Sequence, residues 1–62
     1  MNGDHDGEGH GHGDDARAFA DAVRNAWEDA KGKTGPGTYE IKKIFVETSN
    51  PINEYRVQIK KV

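Results

Sequence analysis

The stretch DARAFADAVRNAWEDAK, residues 15–31, decides the fold class because its apolar residues recur at helical spacing. Asp14 and Asp15 stand where a helix N-terminus favours negative charge and a side-chain cap. After the stretch, Gly32 is expected to end the helix in the left-handed conformation, and TGPG at residues 34–37 prevents its continuation. The pattern predicts one amphipathic helix, whose apolar stripe consists of Ala16, Phe19, Ala20, Val23, Ala26, Trp27 and Ala30.

Two segments that follow the helix have the composition of β-strands. TYEIKKIFVET, residues 38–48, is rich in aromatic and β-branched side chains, but its apolar positions change parity between Ile41 and Ile44. A bulge near Lys42 and Lys43 would absorb this change, as would a strand that is covered on both faces at its far end. Both alternatives predict a strand here.

The C-terminal segment EYRVQIKKV, residues 54–62, alternates polar and apolar side chains and predicts a second strand with one apolar face. Between the two strands, SNPIN at residues 49–53 has the composition of a turn. The predicted fold class is therefore α+β, with one amphipathic helix packed on an antiparallel β-hairpin in the order α-β-β.

The first 13 residues, MNGDHDGEGHGHG, contain five glycines and one apolar residue. Burial in such a segment cannot repay the backbone entropy lost on ordering, so the segment is predicted to be disordered. The chain divides accordingly into a disordered Gly/His/Asp tail, residues 1–13, and a single α-β-β domain, residues 14–62.

The histidines of the tail have two interpretations. His5, His10 and His12 lie among carboxylates, and neutral imidazole with carboxylate oxygens suits zinc, nickel or copper. A flexible segment loses much entropy when it wraps a metal ion, however, and a solubilising tail has the same composition. The three histidines are thus candidate metal ligands.

Composition and charge exclude several classes of protein. The chain has no cysteine among its 62 residues, so it has neither a disulfide nor a cysteine-bound metal site. Eight acids and two arginines give residues 1–30 a charge of −6, whereas seven bases and three acids give residues 31–62 a charge of +4. The bases alternate with glutamates, which argues against nucleic acid as a partner. No apolar run approaches the ~20 residues of a membrane span, and we expect a cytoplasmic protein that binds no membrane.

The residues needed for catalysis are not brought together by the sequence. No histidine lies in the predicted domain, and the only serine, Ser49, lies in the predicted turn. A nucleophile and its base would have to come from the tail, which lacks the preorganisation that catalysis requires. The chain is not expected to be an enzyme.

The predicted fold leaves apolar surface uncovered. One helix covers one face of a two-stranded ribbon, and such a ribbon is marginally stable alone. Trp27, four residues after Val23, is expected to pack in the core and not to contact a ligand. We therefore predict that a second copy of the chain covers the remaining strand surface, which would make the protein a homo-oligomer.

Residues 14–62 resemble the dodecins, a family of small flavin-binding oligomeric proteins. The resemblance rests on DAVRNAWEDA at residues 21–30, YEIKKI at residues 39–44 and EYRVQIKKV at residues 54–62. It implies a strand, helix, strand, strand order and a hollow dodecamer. In this chain the glycine-histidine tail takes the place of the first strand.

The resemblance also implies a ligand surface. Thr38 stands where the family has a tryptophan that stacks on the flavin, and Arg56 stands where it has a glutamine that contacts the flavin. These two residues and the neighbouring Tyr39 are the candidate ligand-binding residues. The expected function is that of a non-enzymatic, dodecin-like binding or storage module with weak or lost flavin binding. The alternatives are divalent-metal binding by the tail and a protein-interaction domain that pairs its sheet edge with a partner strand.

Overall fold

The computed structural model describes residues 5–48 and 53–62. Four elements follow one another along the chain: β1 Gly7–His12, α1 Ala16–Lys31, β2 Tyr39–Glu47 and β3 Glu54–Lys61. The strands form one antiparallel sheet in the order β1-β3-β2, with β3 in the centre. The predicted α+β class, with one helix packed on antiparallel strands, is confirmed. Most of the predicted turn, residues 49–52, lies outside the described residues.

The first strand corrects the prediction of a disordered tail. Gly7–His12 pairs along its length with β3, so the element order is β-α-β-β and not α-β-β. Every second residue of β1 is a buried glycine that faces α1, and a β-carbon on Gly9 would collide with the α1 backbone. The glycines that predicted disorder are thus what allows helix and strand to approach so closely. Residues 1–4 of the predicted tail lie outside the described residues.

The helix occupies the predicted residues, but its end differs in conformation. It begins at Ala16, and the side chain of Asp15 caps it by accepting a hydrogen bond from the backbone N–H of Ala18 at 3.0 Å. The expected left-handed stop at Gly32 is wrong, because Gly32 has a right-handed φ of −78°. Positive φ angles occur instead within the loop that leads to β2, at Gly35 with +79° and at Gly37 with +156°.

The buried stripe of α1 is rotated from the predicted one. Ala16 and Ala20 are exposed, whereas the fully buried positions recur every four residues as Ala18, Ala22, Ala26 and Ala30. This alanine row faces the glycines of β1. The larger side chains flank the row and are half-buried against the sheet: Phe19 packs edge-on against Tyr55, and Trp27 against Tyr39.

The hairpin strands leave one apolar surface open. Of the two alternatives that the sequence left open for β2, the structure has the bulge, which lies between Ile41 and Lys43. Because α1 lies over β1 and β3 and contacts β2 at Tyr39 through Trp27, the later β2 side chains on the helix side remain 43% exposed at Ile41, 50% at Ile44 and 58% at Val46. In the described parts of the chain, no helix is long and apolar enough to cross a membrane.

Candidate functional site

The sheet face that points away from α1 carries a row of histidines and glutamates. The register of β1 and β3 places His10 opposite Arg56 and His12 opposite Glu54. Since side chains alternate along a strand, the glycines of β1 face the helix while its polar residues share this open face. We call the following set the His–Glu row: His5, Glu8, His10, His12 and Glu54.

Each imidazole of the His–Glu row lies near a carboxylate. His10 contacts two of them, with Nδ1 at 2.8 Å from Glu54 Oε2 and Nε2 at 3.2 Å from Glu8 Oε2. His12 Nε2 lies 3.5 Å from the other oxygen of Glu54, and His5 Nε2 lies 3.6 Å from the other oxygen of Glu8. The row therefore joins β1 to β3 through alternating basic and acidic groups.

The neighbours of Glu54 in the His–Glu row favour its ionised form. The hydrogen bond from His10 holds the pKa of the Glu54 carboxyl below its ordinary value, and the nearby charges of His10, His12 and Arg56 act in the same direction. Partial burial opposes this effect but does not reverse it. Glu54 is thus held as an anion beside His10.

The predicted metal ligands lie on this row but do not form a metal centre in the structure. His10 and His12 are neighbours on the open face of β1, while His5 precedes the strand. Within residues 5–48 and 53–62, no three side chains of the ligating types are grouped so that they could hold a metal ion. Metal binding by the three histidines stays a prediction from the sequence.

Arg56 lies in the middle of the same open face. Its guanidinium carbon lies 4.2 Å from the centroid of the Phe45 ring, a cation–π contact between β3 and β2. Its Nε lies 3.5 Å from Glu8, which also accepts a hydrogen bond from Gln58 Nε2 at 3.1 Å.

A cavity of about 300 Å³ adjoins Arg56 and Phe45, and Glu47 and Glu54 contribute to its wall. Its mixed charge makes it a polar site.

A second, apolar groove lies on the helix side of the sheet, between α1 and β2. It has a volume of about 340 Å³ and is lined by Val23, Trp27, Gly37, Tyr39, Ile41 and Ile59. The centroids of the Trp27 and Tyr39 rings lie 5.6 Å apart. The Tyr39 hydroxyl is fixed by hydrogen bonds with the Gly35 carbonyl and the Thr34 hydroxyl. The groove thus has an aromatic wall with one immobilised ring.

The structure separates the predicted ligand residues into two places. Tyr39 lines the groove, and Thr38 is the exposed residue just before it, whose carbonyl accepts a hydrogen bond from the backbone N–H of Val62 at 2.9 Å. Arg56 projects from the opposite face of the sheet, beside Phe45. A ligand held by Tyr39 and Thr38 therefore does not touch Arg56 of the same copy.

Three residues of these sites make contacts that the sequence does not predict. The contacts of Glu8, Glu54 and Phe45 depend on strand register. No register can be predicted for β1 once that segment is interpreted as a disordered tail. The signal was present, because EGHGH at residues 8–12 has the period of two that is typical of a strand. Trp27 packs against the buried core, as expected, and it is half-buried where it also lines the groove.

Comparison of the chain with family models, curated proteins and solved structures found no match.

Proposed function

We propose that the chain is a small, non-enzymatic binding module that holds a flat aromatic ligand in the groove between α1 and β2 and works as a homo-oligomer. The observation that carries this proposal is the groove itself, an open apolar slot with Trp27 and Tyr39 in its wall. Ligand sites are typically concave and apolar with a few polar groups at the margin. Here the Tyr39 hydroxyl is the polar group in the wall, and Thr38 is the residue that precedes it in the chain.

The shape of the groove favours a planar ligand. Val23 on the helix and Ile41 and Ile59 on the sheet provide aliphatic walls on either side of the aromatic pair. A ring system inserted there would bury its faces against these side chains and meet the edge or face of Trp27. An aliphatic ligand of equal size would gain area burial alone, without the aromatic contacts.

The resemblance to dodecins makes a flavin the first ligand to test. The β-α-β-β order agrees with the strand, helix, strand, strand order of that family, and this agreement supports the resemblance. Thr38 offers no ring to stack on a flavin, and Arg56 lies on the other face. We therefore propose that flavin binding is weaker than the family implies.

A non-enzymatic role is consistent with the side chains at both sites. The groove residues carry one polar side chain, the Tyr39 hydroxyl, and its hydrogen bonds lie within the loop. The imidazoles of the His–Glu row are paired with carboxylates, and the chain has no cysteine thiol to serve as a nucleophile. We propose the cytoplasm as the compartment in which the module works.

Fluorescence titration of riboflavin with the full-length chain tests the ligand proposal. Wild-type protein should quench flavin fluorescence, and Trp27→Leu should weaken binding about fivefold, since an aromatic contact contributes about 1 kcal/mol beyond its area. Phe19→Leu is the matched control, because Phe19 lies on the same helix, is also half-buried and packs on Tyr55 outside the groove. Absence of quenching at millimolar protein, or equal affinity of the Trp27 and Phe19 variants, would overturn the proposal.

A further inference from the structure

The two outer edges of the sheet differ in what covers them. Along β1, the Asp29 carboxylate accepts a hydrogen bond from the backbone N–H of Glu8 at 3.0 Å, and Asn25 Nδ2 donates to the carbonyl of His10 at 2.7 Å. These two side chains of α1 satisfy backbone groups that a neighbouring strand would otherwise bind. Along β2, no element of residues 5–48 or 53–62 lies against the outer edge. An unpaired edge is a template for another strand.

The part of β2 after the bulge has two distinct faces. Lys43, Phe45 and Glu47 point to the open face, as their partners Gln58, Arg56 and Glu54 on β3 do. Ile44 and Val46 point to the helix side, where they are at least half exposed. The free edge is therefore bordered by apolar side chains on one face and by a base, a ring and an acid on the other.

We propose that a second copy of the chain pairs with this edge, antiparallel, about a twofold axis that passes through Phe45. In that register Lys43 of each copy lies opposite Glu47 of its partner, Ile44 lies opposite Val46, and the two Phe45 rings are adjacent. Opposite charges, aliphatic pairs and aromatic pairs are the cross-strand neighbours that stabilise antiparallel sheets. The strand sequence KIFVE is thus complementary to itself.

Neighbouring registers lack this complementarity. An axis at Ile44 would place Lys43 opposite Phe45, and an axis at Val46 would place Phe45 opposite Glu47. An axis at Lys43 or at Glu47 would place two like charges side by side, which is unfavourable. The bulge that follows Ile41 interrupts the regular strand and limits the pairing to residues 43–47.

The pairing also covers the apolar surface. A twofold axis perpendicular to the sheet joins the two three-stranded sheets into one of six strands and keeps both helices on the same side. Ile44 and Val46 of the two copies then form one contiguous group between the helices. The proposal deepens the homo-oligomeric part of the proposed function by naming the edge and the register, and it is independent of the ligand in the groove.

A charge exchange tests the register. Lys43→Glu alone and Glu47→Lys alone each create two like-charge pairs per dimer, so dimerisation measured by sedimentation equilibrium should weaken roughly tenfold. The double variant K43E/E47K should dimerise like wild type. An equimolar mixture of the two single variants should form a heterodimer, since each charge then meets its opposite. Lys42→Glu is the matched control, because it makes the same charge change at the bulge and should leave dimerisation unchanged.

Two results would overturn the proposal. A wild-type chain that stays monomeric at millimolar concentration removes the interface together with the oligomeric part of the proposed function. If the single exchanges leave oligomerisation unchanged, or if the mixture forms no heterodimer, this register is wrong and the chain oligomerises through another surface. Circular dichroism of each variant separates loss of pairing from loss of folding, and flavin titration reports on the groove independently.

Discussion

Gly9 of β1 lies directly against Ala22 of α1, so that a β-carbon on Gly9 would collide with the backbone carbonyl oxygen of Ala22. The same holds for Gly11 and the carbonyl of Ala18, one helical turn earlier. Alternate glycines on the strand thus face alanines four residues apart on the helix. This pairing of small residues places the backbones of helix and strand in contact and orients the His–Glu row toward the opposite face.

Gly9→Ala should therefore be strongly destabilising. The added methyl group meets the α1 backbone at Ala22, Asn25 and Ala26 and has no flexible side chain to displace, so we expect the free energy of unfolding in urea to fall by about 3 kcal/mol. Gly32→Ala is the control, because Gly32 has a φ of −78° and a β-carbon there would meet only the Asp29 carbonyl oxygen, at an ordinary 4.0 Å. It should be neutral or slightly stabilising. Equal stability of the two variants would show that β1 does not pack on α1.

Asp29→Ala should loosen β1 at its outer edge. The Asp29 carboxylate accepts the Glu8 backbone hydrogen bond, which is the main cause of its lowered pKa, and it also pairs with Lys33 at 3.2 Å. Loss of the acceptor leaves a half-buried N–H without its protein partner and should cost about 1 kcal/mol. Amide hydrogen exchange at Glu8 should accelerate in this variant.

Lys33→Ala separates the two interactions of Asp29. It removes the exposed ion pair and retains the bond to Glu8, so exchange at Glu8 should stay close to that of wild type. If Lys33→Ala accelerated exchange as much as Asp29→Ala, the ion pair and not the backbone bond would hold this edge.

Asp15→Ala tests the N-cap of α1. Its carboxylate accepts the Ala18 N–H, and loss of such a cap typically costs about 1 kcal/mol. Asp14→Ala is the matched control, since the contact of Asp14 with Tyr55 uses its backbone carbonyl and survives the substitution. We expect thermal unfolding to shift downward for Asp15→Ala by several degrees more than for Asp14→Ala; equal shifts would assign the effect to helix-terminal charge and not to the cap.

The sequence predicts α1, the strand β2 and the alternation of β3 because these features depend on local spacing and capping. The sequence does not predict β1, because glycine content indicates the backbone entropy that a segment loses on ordering. It does not indicate the close packing on α1 that the glycines allow. The signal lay in the combination of two patterns, glycine at every second residue from Gly7 to Gly11 and alanine at every fourth from Ala18 to Ala30. Each pattern alone is ambiguous, and together they describe one contact surface.

The candidate sites could be predicted only in part. The alternation of β3 places Arg56 on the face opposite Val57 and Ile59, as expected. Whether Tyr39 shares the face of Arg56 depends on where the bulge falls in β2, and composition cannot locate a bulge to one residue. The groove depends further on how far α1 extends over the sheet, which is set by the contact with β1.

The contact between His10 and Glu54 makes the stability of the fold sensitive to acid. Because His10 lowers the pKa of Glu54 in the folded chain, ionised Glu54 stabilises the fold above its unfolded pKa, and this contribution is lost as the pH falls through the lower folded value. The urea stability of wild type should therefore exceed that of Glu54→Gln at pH 6, and the difference should shrink below about pH 4.3, the ordinary range of glutamate. His10→Ala removes the cause of the shift and should flatten the same pH dependence. In the variant that carries both changes, the effects of the two substitutions on the free energy of unfolding should be non-additive at pH 6 and additive at pH 3. Non-additivity that persisted unchanged at pH 3 would show that ionised Glu54 does not join β1 to β3.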